Sequence, residues 1–195
     1  TARAGAWLPT PGDALLQALS QDAPDLPVVA EDLGEITAEV DALRRRFALP
    51  GMHVLQFAFD GPSDNPHLPQ NYVANTVVYT GTHDNPTTRG WFEGLPDQQR
   101  AHVWNYLKRA PGTSEEVAWA LIRLAWSSPA GLAMVPLQDV LNLGPEGRMN
   151  QPGRAGGNWR GRCTEEMLAA PALHALGQLT KAADRLASAS SEGAP

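Results

Sequence analysis

The chain has 195 residues, 43% of them hydrophobic, with 15 basic and 21 acidic side chains and a formal net charge of −6. The apolar content is enough for a packed domain and excludes disorder as the default, while the acidic balance excludes broad phosphate binding and leaves a neutral ligand such as a sugar open. Cys163 is the only cysteine, which excludes an intrachain disulfide and a cysteine-built zinc site and fits a reducing cytoplasm. No apolar run approaches the ~18 residues of a membrane span, and no basic-then-apolar opening marks a secretion signal.

In chain order, the first twelve residues are turn-rich, and Leu15, Leu16 and Leu19 make a short helical stripe. Val28-Val29-Ala30 reads as a buried strand ending in the polar turn Glu31-Asp32-Leu33-Gly34. Thr37 suits a helix N-cap, with Glu39 in the first turn and Ile36, Val40, Leu43 and Phe47 on one face. Met52 to Phe59 reads as a second strand ending at Asp60, and Thr76 to Thr80 as a third ending in Gly81-Thr82-His83-Asp84-Asn85. Pro96 opens a helix to Arg109, and Thr113 with Glu116 has the spacing of a capping box before Val117, Leu121 and Leu124. Leu132 to Val140 reads as a fourth strand, followed by a Gly-rich loop. Helical segments span residues 164–187, broken near Pro171, and residues 188–195 form a flexible tail.

Alternating strands and helices predict an α/β chain with a parallel sheet. Four such units amount to half of an eight-stranded barrel, with helical and loop insertions. Residues 1–187 are expected to form that part and 188–195 the tail. In a parallel barrel, Glu31, Asp32, Asp60, His83, Asp84, Asn85 and Asp139 share the face where active sites are built. Convergent carboxylates suit glycosidic bond cleavage: one protonates the leaving oxygen, and another attacks or stabilises the sugar cation. Acids at strand ends are also common as helix caps.

Four blocks make the reading specific. They are Val29-Ala30-Glu31-Asp32-Leu33-Gly34; Leu49-Pro50-Gly51-Met52 with Leu55-Gln56-Phe57-Ala58-Phe59-Asp60; Tyr79-Thr80-Gly81-Thr82-His83-Asp84-Asn85 with Thr87-Thr88 and Gly90-Trp91; and Arg148-Met149-Asn150-Gln151-Pro152-Gly153 with Gly156-Gly157-Asn158-Trp159. In order and spacing the chain resembles the carboxy-terminal part of the 4-alpha-glucanotransferases (amylomaltase or disproportionating enzyme, glycoside hydrolase family 77). The resemblance implies the carboxy-terminal half of a (β/α)8 TIM barrel acting on α-1,4-glucans and maltooligosaccharides, without cofactor or metal. It implies Glu31 as general acid/base and Asp84 as transition-state stabiliser. His83, Asp60, Gln56, Asn150 and Trp159 become substrate contacts, although Asp60, Asn150 and Gln56 can equally satisfy barrel-layer hydrogen bonds and Trp159 can equally pack in a core.

Two departures accompany the resemblance. The family has an aromatic residue where this chain has Gly161, which is expected to loosen the loop wall. The family nucleophile is an aspartate in an Arg-Ile-Asp-His-like run, which is not found in this sequence. The resemblance places that run just before Thr1, so the chain is expected to be a fragment, inactive alone. The alternative is a non-catalytic glucan-binding or interaction module derived from the enzyme. The arginines Arg148, Arg154, Arg160 and Arg162 around Trp159 would also suit an RNA-binding segment, but the acidic balance and the four blocks oppose this. Neither nucleic acid nor membrane is an expected partner.

Overall fold

The computed structural model describes residues 5, 6 and 8–186; the expected tail at 188–195 lies outside them. The chain divides into two compact units, Thr1–Met52 and His53–Pro195.

The first unit holds α1 (Gly12–Asp22) and α2 (Ala38–Arg46). Thr37 caps α2 as its sequence suggests, its Oγ1 accepting from the Val40 N–H at 3.4 Å. The carboxyl of Glu39 is held below its ordinary value, first by its own backbone N–H and then by Thr37. Arg44, Arg45 and Arg46 occupy the last turn, the negative end of the helix dipole. Arg46 reaches Asp13 at 2.8 Å and links α2 to α1. The expected strand at 28–30 does not form. Ala30 N–H donates to the Pro50 carbonyl at 2.9 Å, but a proline has no N–H to answer, so the contact does not extend into a ladder. Val29 is accordingly exposed rather than buried.

The boundary between the units falls inside β1 (Gly51–Val54), which leads into a 3-10 turn at Leu55–Phe57. The expected strand to Phe59 is therefore cut short. An apolar run marks burial and does not fix the dihedral angles, and here buried Leu55 and Ala58 pack from a turn. β2 (Thr76–Tyr79) carries a β-branched run buried on both faces, the mark of a parallel strand with covered sides. β3 (Leu132–Met134) pairs parallel to it, Val77 opposite Leu132 and Tyr79 opposite Met134, in a sheet of order β1-β2-β3. The expected strand to Val140 stops early because Pro136 opens the short helix α6 (Leu137–Val140). The described residues thus hold three strands where four were expected.

Between β2 and β3 lie α3 (Thr88–Glu93), α4 (Asp97–Tyr106) and α5 (Ser114–Trp126). Val78 of β2 shares one core with Phe92, Val103, Trp104, Val117, Leu121, Ile122 and Ala125 from these helices. α5 is the central pillar, and both halves of its capping box are made: Thr113 takes the Glu116 N–H, and Glu116 takes the Thr113 N–H. Two more helices follow, α7 (Glu165–Leu168) and α8 (Pro171–Ala182), with the expected break at Pro171. Among the described residues, no helix is long and apolar enough to cross a membrane.

Candidate functional site

The turn after β2 carries the densest polar constellation. Thr82 donates from both N–H and Oγ1 to Asn85 Oδ1 at 2.8 Å, closing a tight turn that presents His83 and Asp84 outward. A Cβ on Gly81 would stand 2.5 Å from Gln56 Nε2, so this close approach requires glycine. Gln56 is buried and donates from that nitrogen to the Pro86 carbonyl at 3.0 Å. Its other amide atom, Oε1, is buried without a hydrogen-bond partner.

The segment 148–159 folds over this turn. Asn150 N–H donates to the His83 carbonyl at 3.1 Å, and Asn150 Nδ2 to Asp84 Oδ1 at 2.5 Å. Arg148 bridges the Asp84 and Asn150 carbonyls at 2.7 and 2.9 Å. This arginine is spent on loop geometry. Asn158 ties the loop to itself, accepting from Gln151 N–H at 3.1 Å and donating to the Arg154 carbonyl at 2.9 Å. Trp159 N–H donates to the Met149 carbonyl at 2.9 Å, and its ring lies 5.3 Å from that of His83. Trp159 has φ 60, a left-handed conformation uncommon for a bulky residue, and it remains exposed. His83 Nε2 is 3.3 Å from Asp84 Oδ1, and about half of each side chain stays open to solvent. Thus His83, Asp84, Asn150 and Trp159 meet on one open patch. A carboxylate backed by donors and flanked by an aromatic face can accept sugar hydroxyls while the ring stacks on a pyranose.

Beneath the patch lies a group whose partners the sequence did not reveal. Asp139 on α6 is 1% exposed. Its Oδ2 accepts from the hydroxyls of Thr80 and Thr88, both at 2.6 Å, and its Oδ1 accepts from the Thr88 N–H at 2.7 Å. Burial pushes its carboxyl above the ordinary value, against the three donated bonds that favour the charged form. The expected place of Asp139 near a strand end is corrected: it stands on a helix, and its lone pairs point into protein.

The other candidates stand apart. Asp60 is exposed, accepts from Asn65 Nδ2 at 3.2 Å, and lines a groove of about 590 Å³ with Gln98, Gln99, His102 and Asn105. That groove has no lining residue in common with the His83–Asp84 patch. In the first unit Glu31 is exposed beside Asp32. Asp32 Oδ1 accepts from the Met52 N–H at 2.7 Å, its Oδ2 lies 3.3 Å from Arg44 Nε, and a Cβ on Gly51 would stand 2.3 Å from it. Asp32 thus anchors the local backbone and leaves Glu31 as the outward acid. Among the described residues no cluster of His, Cys, Asp and Glu is set to hold a metal ion.

The profile described as 4-alpha-glucanotransferase matches residues 1–168. The chain is 49% identical over 191 residues to a 4-alpha-glucanotransferase of Thermus thermophilus, covering 95% of this chain and 38% of the relative. It is 54% identical over 170 residues to one of Synechocystis sp., covering 86% and 33% respectively. A solved amylomaltase from Streptococcus agalactiae in complex with acarbose superposes with TM-score 0.87 at 34% identity, covering 95% of this chain and 37% of that one. The chain therefore spans about a third of the length of these relatives.

Proposed function

The chain belongs to the 4-alpha-glucanotransferase family, and from that premise we propose that, within its whole protein, it takes part in moving α-1,4-glucan segments to an acceptor sugar. Residues 1–187 then form the carboxy-terminal half of a (β/α)8 barrel, a reading supported by the parallel pairing of β2 and β3 around covering helices. The observation that carries the functional reading is the meeting of His83, Asp84, Asn150 and Trp159 on one open patch.

Glu31 protonates the departing glycosidic oxygen and then takes the proton of the incoming hydroxyl. A retaining double displacement also needs a carboxylate nucleophile, which by the family resemblance belongs to an Arg-Ile-Asp-His-like run not found in these 195 residues. Asp84 accepts hydroxyl bonds from the distorted sugar ring, held ready by the Asn150 amide. His83, Asn150 and Trp159 contact the same sugar, Asp60 contacts a different part of the glucan from its own groove, and Gln56 supports the loop from beneath through the Pro86 carbonyl.

The test is maltotriose disproportionation by the full-length protein. Glu31→Gln keeps the shape but carries no proton, and is expected to lower kcat about 10²–10⁴-fold. Asp84→Asn is expected to lower kcat about 10²–10³-fold with little change in KM. Near-wild-type turnover by either variant would remove that residue from its role.

A further inference from the structure

We propose that Asp139 is a positioning residue for Asp84: its buried carboxylate clamps both ends of the segment that presents His83 and Asp84. Thr80 immediately precedes residues 81–87 and Thr88 immediately follows them. Both hydroxyls, and the Thr88 N–H, converge on one side chain at 2.6–2.7 Å. Thr80 and Thr88 are fully buried and Asp139 nearly so, so water is in no position to replace these bonds. The seven intervening residues are thereby closed as a loop whose base is an anion and two threonines.

The same stretch of chain grips the loop higher up. Thr87 Oγ1 donates to the Gly144 carbonyl at 3.0 Å, Arg148 to the Asp84 carbonyl, and Asn150 to Asp84 itself. These upper contacts are open to solvent at Asp84, whereas the clamp at the base is dry. Buried hydrogen bonds to a charged group are the stronger kind. A carboxylate that stabilises a transition state needs its place held closely, since a displacement of an ångström costs about 10²-fold in rate. Asp139 touches no substrate in this arrangement and acts through the backbone it holds.

The inference rests on the reading of Asp84 as a transition-state contact, and the experiment separates the two. In the full-length protein, Thr80→Val removes one hydroxyl at nearly constant volume, Thr80→Ser restores it, and Asp139→Asn removes the charge. Thr80→Val and Asp139→Asn are expected to lower kcat for maltotriose about 10- to 100-fold with KM within about twofold, and Thr80→Ser to recover most of the loss. Amide resonances of His83 and Asp84 should shift in Thr80→Val and return in Thr80→Ser. Thr113→Ala, a stability loss at the α5 cap, should leave kcat unchanged. If Asp139→Asn does not fold, the Thr80 pair decides. Unchanged kcat and unmoved His83 and Asp84 amides in folded Thr80→Val would overturn the proposal. So would an equal kcat loss in Thr113→Ala. A wild-type protein without transferase activity would sink the reading of the site, while the amide shifts would still report whether Asp139 holds the loop.

Discussion

A side chain at Gly161 would meet nothing within 4 Å. The family resemblance calls for an aromatic residue there, and the backbone has room for one. Gly161→Phe is therefore expected to change stability by less than about 0.5 kcal/mol while lowering KM for maltooligosaccharides, because it adds an apolar wall beside Trp159. Thermal melts with initial-rate kinetics check this, and a large loss of stability would mean the loop is packed. Asp139 gives a second prediction at this scale. Its carboxyl lies above the ordinary value of 3.8 because burial disfavours its charge. A raised folded-state value means that the unfolded chain gives up this proton more readily. The contribution to stability is complete below pH 3.8 and is lost as pH rises through the folded-state value. Carboxyl carbon resonances should show Asp139 titrating above a free aspartate, and higher still in Thr80→Val, which deletes a donor to the anion. A midpoint at or below the ordinary value would show that the three hydrogen bonds outweigh burial.

The helices were more legible than the strands. Thr113 and Glu116 announced the start of α5, and both capping bonds form there. Thr113→Ala should cost about 1 kcal/mol, measurable as a drop in denaturation midpoint; no change would mean that the helix is held by packing alone. Leu121, fully buried on the same helix, should cost about 2–5 kcal/mol when cut to alanine. The runs Met52–Phe59 and Leu132–Val140 looked like strands because they are apolar, but each changes to helical geometry part-way. In the second, Pro136 is the signal that ends the strand. His83, Asp84, Asn150 and Trp159 stand in local motifs of the sequence, and the fold brings them onto one patch. The clamp stands in no such motif, because Asp139 and its partners Thr80 and Thr88 lie 59 and 51 residues apart in sequence and only folding reveals the pairing.

For the molecule as a whole, burial divides the chain unevenly. Among the described residues none before Gly51 is buried, whereas the second unit holds a core of aromatic and branched side chains. Opening free energies should divide the same way. Amides of α1 and α2 are expected to exchange with deuterium well before those of α5, read by hydrogen-exchange mass spectrometry on this chain. Equal protection would mean that the first unit is covered in solution. Glu31 sits on the less buried unit and Asp84 on the better packed one, so the two proposed catalytic acids rest on supports of different firmness.

Trp159 places an aromatic ring beside His83 from a backbone conformation that costs a non-glycine residue about 1–2 kcal/mol. On the proposed role of Trp159 in stacking on a sugar, heat resistance and recognition ask for different residues at one position. A pool of full-length variants randomised at 159 and sorted after heating should enrich glycine, while the same pool sorted on retention by immobilised glucan should enrich tryptophan. A position that ranks its residues oppositely under two selections trades durability for recognition.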